Sequence, residues 1–124
     1  MSEKITSFTQ LRTWQKAREL ATEIYKISQT FPVSEKYGLT SQIRRSAVSV
    51  AANIAEGFSR DGQLDKKRFY GMSMGSLTET LSHAYIAHDL GFIKQSELMD
   101  IESHITDIHK MLNGMMKSAK GKDA

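Results

Sequence analysis

The sequence predicts an all-α fold, an antiparallel up-down-up-down four-helix bundle. Along four separate segments, apolar residues recur at spacings of three and four, as they do on one face of an amphipathic helix. The connections between these segments are short, which makes neighbouring helices antiparallel. No segment shows the apolar–polar alternation that is typical of a strand. With 124 residues and a single proline, the chain is expected to form one domain over residues 1–124.

The first helix is predicted over residues 9–30. Thr9 is a suitable N-cap, and the apolar positions from Leu11 to Ile27 recur close to every 3.5 residues. Pro32 ends this helix, because the residue before a proline is pushed away from the helical conformation.

The second helix, predicted over residues 34–58, is the segment around which the others are organised. Glu35 is favourable in its first turn, and Gly38 can separate a short initial turn from the rest. Its apolar stripe consists of Leu39, Ile43, Ala47, Val50, Ile54 and Phe58. Its polar positions are Arg45, Ser46, Ser49, Asn53 and Glu56. Since an unpaired buried polar group costs about 1–3 kcal/mol, we expect these side chains to find partners within the fold or on another molecule.

The third and fourth helices are predicted over residues 65–90 and 95–117. Gly91 is typical of the left-handed residue that stops a helix, and Phe92 should pack back onto that helix. The fourth helix has the most regular heptad pattern in the chain, formed by Leu98, Ile101, Ile105, Ile108, Leu112 and Met115. We expect the tail, residues 118–124, to be flexible.

A hairpin of the second and third helices brings particular residues face to face. Ser49 should lie opposite Gly75 and Asn53 opposite Gly71, so that the glycines allow the two backbones to approach closely. The facing pairs of opposite charge are Arg45 with Glu79 and Glu56 with Arg68. We therefore predict a structural or interface role for seven residues: Arg45, Ser49, Asn53, Glu56, Gly71, Gly75 and Glu79.

Four motifs occur in a fixed order along most of the chain. They are Trp14-Gln15-Lys16-Ala17, Phe31-Pro32-x-x-Glu35, Arg45-Ser46-x-x-Ser49-Val50-x-x-Asn53-Ile54-Ala55-Glu56-Gly57 and Gly75-Ser76-Leu77-x-Glu79. Together they resemble the 23S rRNA intervening sequence protein family, small bacterial four-helix bundle proteins. Members often carry a proline between the second serine and the asparagine, where this chain has Ala51-Ala52. The second helix should therefore be straighter here.

The resemblance implies an assembly as well as a fold. It implies a homopentamer, with protomers side by side in a ring. The family is also similar to accessory proteins of diversity-generating retroelements, which partner a reverse transcriptase. That similarity implies a second possible role, as an adaptor that recruits a protein partner.

Charge is distributed unevenly between the two ends of the predicted bundle. We define the basic pole as the end formed by the start of the first helix, the loop between the second and third helices, and the end of the fourth. It carries ten Lys or Arg against five acids, and three Lys against six acids lie at the opposite end. The candidate nucleic-acid-binding residues are Arg12, Arg60, Lys66, Lys67, Arg68, Lys110, Lys117 and Lys120.

These observations favour a non-enzymatic, oligomeric protein that binds RNA or another nucleic acid through backbone phosphates. The alternative function is the adaptor described above. A solvated charge asymmetry without any partner would produce the same sequence pattern.

Enzymatic and metal chemistry find little support in the sequence. Without cysteine the chain has no disulfide, thiolate nucleophile or thiolate ligand, which fits the cytoplasm. The histidines, His83, His88, His104 and His109, lack the acidic residue three positions earlier that di-iron bundles use. The pairs Glu79/His83 and Asp100/His104 are better explained as surface contacts. We expect no catalytic residues, no cofactor, no metal site and no membrane-spanning segment.

Overall fold

Four α-helices and two short 3-10 helices make up the fold. A computed structural model describes residues 4–123 of the chain, with side chains described from Lys4 to Ala119. The helices are α1 (Arg12–Ser28), α2 (Leu39–Ser59), α3 (Gln63–Asp89) and α4 (Gln95–Asp123), and the 3-10 helices are Phe8–Gln10 and Val33–Glu35. No strand occurs between residues 4 and 123, so the predicted all-helical fold with four helices is confirmed.

The first helix begins later than predicted. Ser7, and not Thr9, is the first cap: its Oγ accepts a hydrogen bond from the Thr9 N–H at 3.2 Å. The Gln10 side chain accepts from the Ser7 N–H at 3.0 Å and so completes a capping box. These bonds stabilise the separate 3-10 turn, and α1 follows it at Arg12.

The second helix is split at its start. Val33–Glu35 forms a 3-10 turn, and α2 begins only at Leu39. The Glu35 carboxylate accepts a hydrogen bond from the Leu39 N–H at 3.0 Å. Glu35 was expected within the first turn of the second helix, but it precedes α2 and caps it. Gly38 separates the two pieces, as its position suggested.

The ends of α3 and α4 differ in how well they were predicted. Gly91 adopts a φ of 82°, and the N–H of Phe92 bonds to the Ala87 carbonyl oxygen at 2.8 Å, which confirms the left-handed stop. The Phe92 ring packs against Phe31, with 5.6 Å between ring centroids. By contrast, α4 runs to Asp123 and overruns the predicted tail, with Ala119 buried. Ala124 lies outside the described residues.

Each helix contributes one row of buried apolar side chains to a single core. The fully buried members with the largest side chains are Leu20, Ile24, Ile43, Val50, Ile54, Leu77, Ile101, Ile108 and Leu112. α2 and α3, joined by only Arg60–Gly62, share the most extensive contact, and among the neighbouring helices α1 and α4 share the least. Cross-helix bonds between Arg45 and Glu79 and between Val50 and Ser73 show that α2 and α3 are antiparallel.

Candidate nucleic-acid interface

The contact between α2 and α3 is made by small hydroxyl side chains. We call it the α2–α3 seam and define it by Ser46, Val50, Ser73 and Thr80. Ser73 Oγ donates to the Val50 carbonyl oxygen at 2.7 Å, and Thr80 Oγ1 donates to Ser46 Oγ at 2.8 Å. All four residues are buried. These cross-helix bonds satisfy polar groups that would otherwise destabilise the core.

The predicted motif residues form a network beside the α2–α3 seam. Arg45 pairs with Glu79, as the register predicted. Asn53 Nδ2 donates to Ser49 Oγ at 3.0 Å, and Ser76 Oγ donates to the same oxygen at 3.0 Å. Asn53 therefore has the intramolecular partner that its position required, and the Arg45–Glu79 pair remains partly open to solvent.

The glycines of the third helix do not make the close approach that was predicted for them. A Cβ added at Gly75 would meet nothing within 4 Å, and one added at Gly71 would meet only Met116 Cε of α4, at 3.7 Å. The rotation of α3 turns Ser73 toward α2 instead. The close contact is at Gly57, where a Cβ would lie 2.6 Å from Tyr70 Cε1.

The predicted ion pair between Glu56 and Arg68 is also absent. Glu56 lies 3.3 Å from Arg60, four residues further along, and Arg68 lies 3.2 Å from Asp65, three residues earlier. Each of these partners lies only three or four residues away along the chain, so it is favoured over a partner on another helix.

The fold brings two of the predicted segments of the basic pole together, the region around the α2–α3 connection and the end of α4. Phe58, Lys66, Met115 and Ser118, from three different helices, line one cavity of about 240 Å³. The ammonium group of Lys66, however, already has a partner within the protein. Its Nζ donates to the Phe58 carbonyl oxygen at 2.6 Å, where it neutralises the negative end of α2.

Two of the arginines at the basic pole are compensated as well. Arg60 and Arg68 lie over the Phe69 ring at 4.6 and 4.7 Å from its centroid, and both approach Asp65. The remaining cations have no described carboxylate within 4.0 Å: Arg12, Lys67, Lys110 and Lys117. The side chain of Lys120 lies outside the described residues. Four of the eight predicted residues are therefore uncompensated cations among the described side chains.

A second basic cluster, which was not predicted from the sequence, lies at the opposite end. We call it the tyrosine pocket, a cavity of about 380 Å³ between the end of α1 and the start of α2. It is lined by Tyr25, Lys36, Tyr37, Thr40, Ser41, Arg44 and Arg45. The signal available in the sequence was a pair of tyrosines near Lys and Arg on either side of Pro32, but only the fold brings them together.

The space between α1 and α4 is an open groove of about 680 Å³, which we call the α1–α4 groove. His104 Nδ1 lies 3.1 Å from Glu23 Oε1 across it, whereas the predicted partner was Asp100 on the same helix. The hydrogen bond to Glu23 raises the pKa of His104, and partial burial opposes it. The second predicted pair does form, with His83 Nε2 3.2 Å from Glu79.

The part of the chain that the structure describes lacks two kinds of feature. No helix there is long and apolar enough to cross a membrane. Among the same residues, no three His, Asp or Glu side chains are grouped in a way that could hold a metal ion.

Comparison with known proteins adds a structural relative and a family. The fold matches the crystal structure of a protein of unknown function from the S23 ribosomal protein family of Bacteroides thetaiotaomicron, with a TM-score of 0.76 and 23% identity, over 85% of this chain and 98% of that one. Comparison with curated proteins finds no match. The 23S rRNA-intervening sequence protein profile matches residues 9–114. The chain therefore belongs to the 23S rRNA-intervening sequence protein family.

Proposed function

We propose that the protein is a non-enzymatic homo-oligomer that binds RNA through the phosphate backbone at its basic pole. The observation that carries this proposal is a set of uncompensated cations from three helices: Arg12, Lys67 and Lys117 lie toward one end, and Lys110 lies midway along α4. Long cationic side chains without a carboxylate partner can exchange their counterions for phosphates at little cost. The compensated residues Arg60, Lys66 and Arg68 would shape this surface, because their charges are already engaged.

The oligomer part of the proposal is supported by an exposed apolar face on α2 and α3. Val48 is 45% exposed and Met72 is 47% exposed, although both are large apolar side chains. Gly75 and the Arg45–Glu79 pair lie within about two helical turns of them. A second copy that covered this face would hide the apolar area and offer the ion pair further partners. In the pentamer that the family resemblance implies, several basic poles would act on one RNA with increased avidity.

The RNA proposal is tested by a pair of charge-matched double variants. Lys67→Glu/Lys117→Glu changes the uncompensated cations of the basic pole. Lys26→Glu/Lys94→Glu changes two exposed lysines at the other end by the same amount. We expect the first variant to bind labelled RNA more weakly. Its slope of log affinity against log salt should fall by about 0.7–0.9 for each phosphate that the variant no longer binds.

The control variant decides what a fall in affinity means. If both double variants lose affinity equally, the charge acts through the whole molecule and the basic pole is not a site. If neither changes affinity, the proposal that RNA binds at the basic pole is wrong.

The oligomer is tested separately by light scattering. The unmodified protein should have the mass of several chains at micromolar concentration, and Val48→Glu/Met72→Glu should reduce it to one. Met99→Glu, at an exposed residue near the start of α4, is the control and should leave the mass unchanged. A monomeric unmodified protein would contradict both the assembly and the avidity.

A second candidate function is the adaptor that recruits a protein partner. It is favoured by a group of exposed apolar side chains near the turn between α3 and α4: Tyr85, Ile86, Leu90 and Met99. Isolation of the native complex, with RNA sequencing and mass spectrometry of the bound proteins, separates the two functions. RNA without a stoichiometric protein supports the first function, and a stoichiometric protein partner supports the second.

A further inference from the structure

The tyrosine pocket has the dimensions and the lining of a ligand site. Its volume of about 380 Å³ falls in the range that holds a nucleotide-sized molecule. It lies where α1 ends and α2 begins, so it is at the opposite end of the bundle from the basic pole. Nothing in the proposed contact with RNA phosphates uses it.

The first observation is that two aromatic rings are left open to solvent. Tyr37 is 88% exposed and Tyr25 is 45% exposed. The Arg44 guanidinium lies 4.6 Å from the Tyr25 ring centroid, and Lys36 Nζ lies 5.4 Å from that of Tyr37. Exposed rings beside cations are the combination on which single-stranded bases stack while their phosphates are held.

The second observation is that the arginine of the pocket is already oriented. Arg44 Nε donates to Ser28 Oγ at 2.8 Å, and Nη2 reaches the Tyr25 carbonyl oxygen at 3.4 Å. No described carboxylate lies within 4.0 Å of Arg44 or Lys36, whereas the neighbouring Arg45 is paired with Glu79. Arg44 therefore keeps its positive charge and free N–H groups in a fixed position, which suits a phosphate.

The third observation is independent of charge and concerns an unpaired hydroxyl in the wall of the pocket. Thr40 lines the pocket and is only 9% exposed, yet its Oγ1 is buried and makes no hydrogen bond to the described residues. The adjacent Ser41 hydroxyl, by contrast, donates to the Gly38 carbonyl oxygen at 3.1 Å. A buried hydroxyl without a partner is rare because it costs stability. A bound molecule would satisfy it only after the surrounding side chains move, because this oxygen is closed to solvent.

We propose that the tyrosine pocket binds a segment of single-stranded RNA. A base stacks on Tyr37, and Arg44 and Lys36 hold phosphates. Double-stranded RNA keeps its bases stacked on one another, so it cannot offer a free base to the ring. The site is separate from the basic pole, and the two proposals can therefore fail separately.

The proposal is tested with a fluorescein-labelled uridine hexamer and the full-length protein. Tyr37→Leu removes the ring, and at 88% exposure the residue contributes little to the fold, which an unchanged melting temperature will verify. Tyr37→Phe, which keeps the ring at the same exposed position and removes only the hydroxyl, is the matched control. Removal of one stacking ring should weaken binding by roughly 5- to 150-fold, and the control should bind like the unmodified protein.

NMR measurements with three different ligands identify what the tyrosine pocket binds. The hexamer should shift the ring resonances of Tyr25 and Tyr37 in NMR spectra, also in the Lys67→Glu/Lys117→Glu variant. A duplex of the same length and inorganic phosphate should leave these resonances unshifted. If Tyr37→Leu binds the hexamer as the unmodified protein does, or if the duplex or phosphate alone reproduces the shifts, stacking of a single strand in this pocket is ruled out.

Discussion

The α2–α3 seam and the α1–α4 groove both contain polar residues, but the side chains that meet there differ in length. Along the seam, Ser46, Ser73 and Thr80 are short enough for their hydroxyls to bond to the opposite helix while the backbones approach. Along the groove, Glu23 and His104 meet with long side chains and leave a space of about 680 Å³. Side-chain length at the contact therefore decides which pair of helices is closed and which stays open.

The largest change in stability is expected at Gly57, where α2 packs closely against α3. Gly57→Ala would place a Cβ 2.6 Å from Tyr70 Cε1 and 3.1 Å from Phe69 Cβ, and the Tyr70 ring is buried and cannot turn away. We expect a loss of about 1–3 kcal/mol in the free energy of unfolding, measured by urea denaturation. Gly75→Ala, where the new Cβ meets nothing, is the control and should gain up to about 1 kcal/mol. Equal effects at the two glycines would show that α2 and α3 are not closely packed at Gly57.

A smaller effect is expected from the hydroxyls of the α2–α3 seam. Ser73→Ala removes the donor to the Val50 carbonyl oxygen and should cost about 1 kcal/mol in chemical denaturation. Thr78→Ala removes an exposed hydroxyl that bonds within its own helix, to the Met74 carbonyl oxygen, and should change stability by less than about 0.5 kcal/mol. The assignment of the seam is wrong if the exposed substitution costs as much as the buried one.

The α1–α4 groove should respond to pH through His104. Its pKa is raised above 6.5, chiefly by the hydrogen bond to Glu23, so the native state holds a proton more tightly than the unfolded chain does. The stabilisation is complete below about pH 6.5 and is lost as the pH rises through the higher native pKa. Stability measured between about pH 6 and 8 should therefore fall in the unmodified protein and fall less in His104→Gln. A steeper fall in the variant would contradict the assignment.

The smallest effect is expected at the edge of the α2–α3 seam. The Arg45 and Glu79 side chains are 57% and 37% exposed, and exposed ion pairs contribute only about 0–1 kcal/mol. Glu79→Gln should therefore change the unfolding free energy of a dilute, monomeric sample by no more than that. If this pair lies in the proposed interface between copies, the destabilisation should grow with protein concentration.

The helical fold could be predicted from the sequence because apolar spacing reports directly on periodicity and burial. The α3 stop could be predicted too, since Gly91 is a residue suited to a positive φ. The rotation of α3 about its own axis could not be predicted from the sequence. Glycine was expected in the α2–α3 seam, but Ser73 occupies it, and the two possibilities differ by only part of a helical turn.

The candidate sites show a different limit of the sequence. Charges can be counted along the chain, and the basic pole was predicted in this way. Which cations remain uncompensated depends on partners that only the fold supplies, such as the helix end that engages Lys66. The tyrosine pocket was missed for the same reason, because Tyr25 and Arg44 are 19 residues apart and meet only after the chain turns at Pro32.

The short connection between α2 and α3 also has a consequence for the order of folding. Only Arg60–Gly62 separates the two helices with the most extensive contact, so this hairpin forms with a small loss of chain entropy. We expect it to be the nucleus, with α1 and α4 docking afterwards. In stopped-flow measurements, Ser73→Ala should then mainly slow refolding, whereas substitutions within α1 should mainly accelerate unfolding.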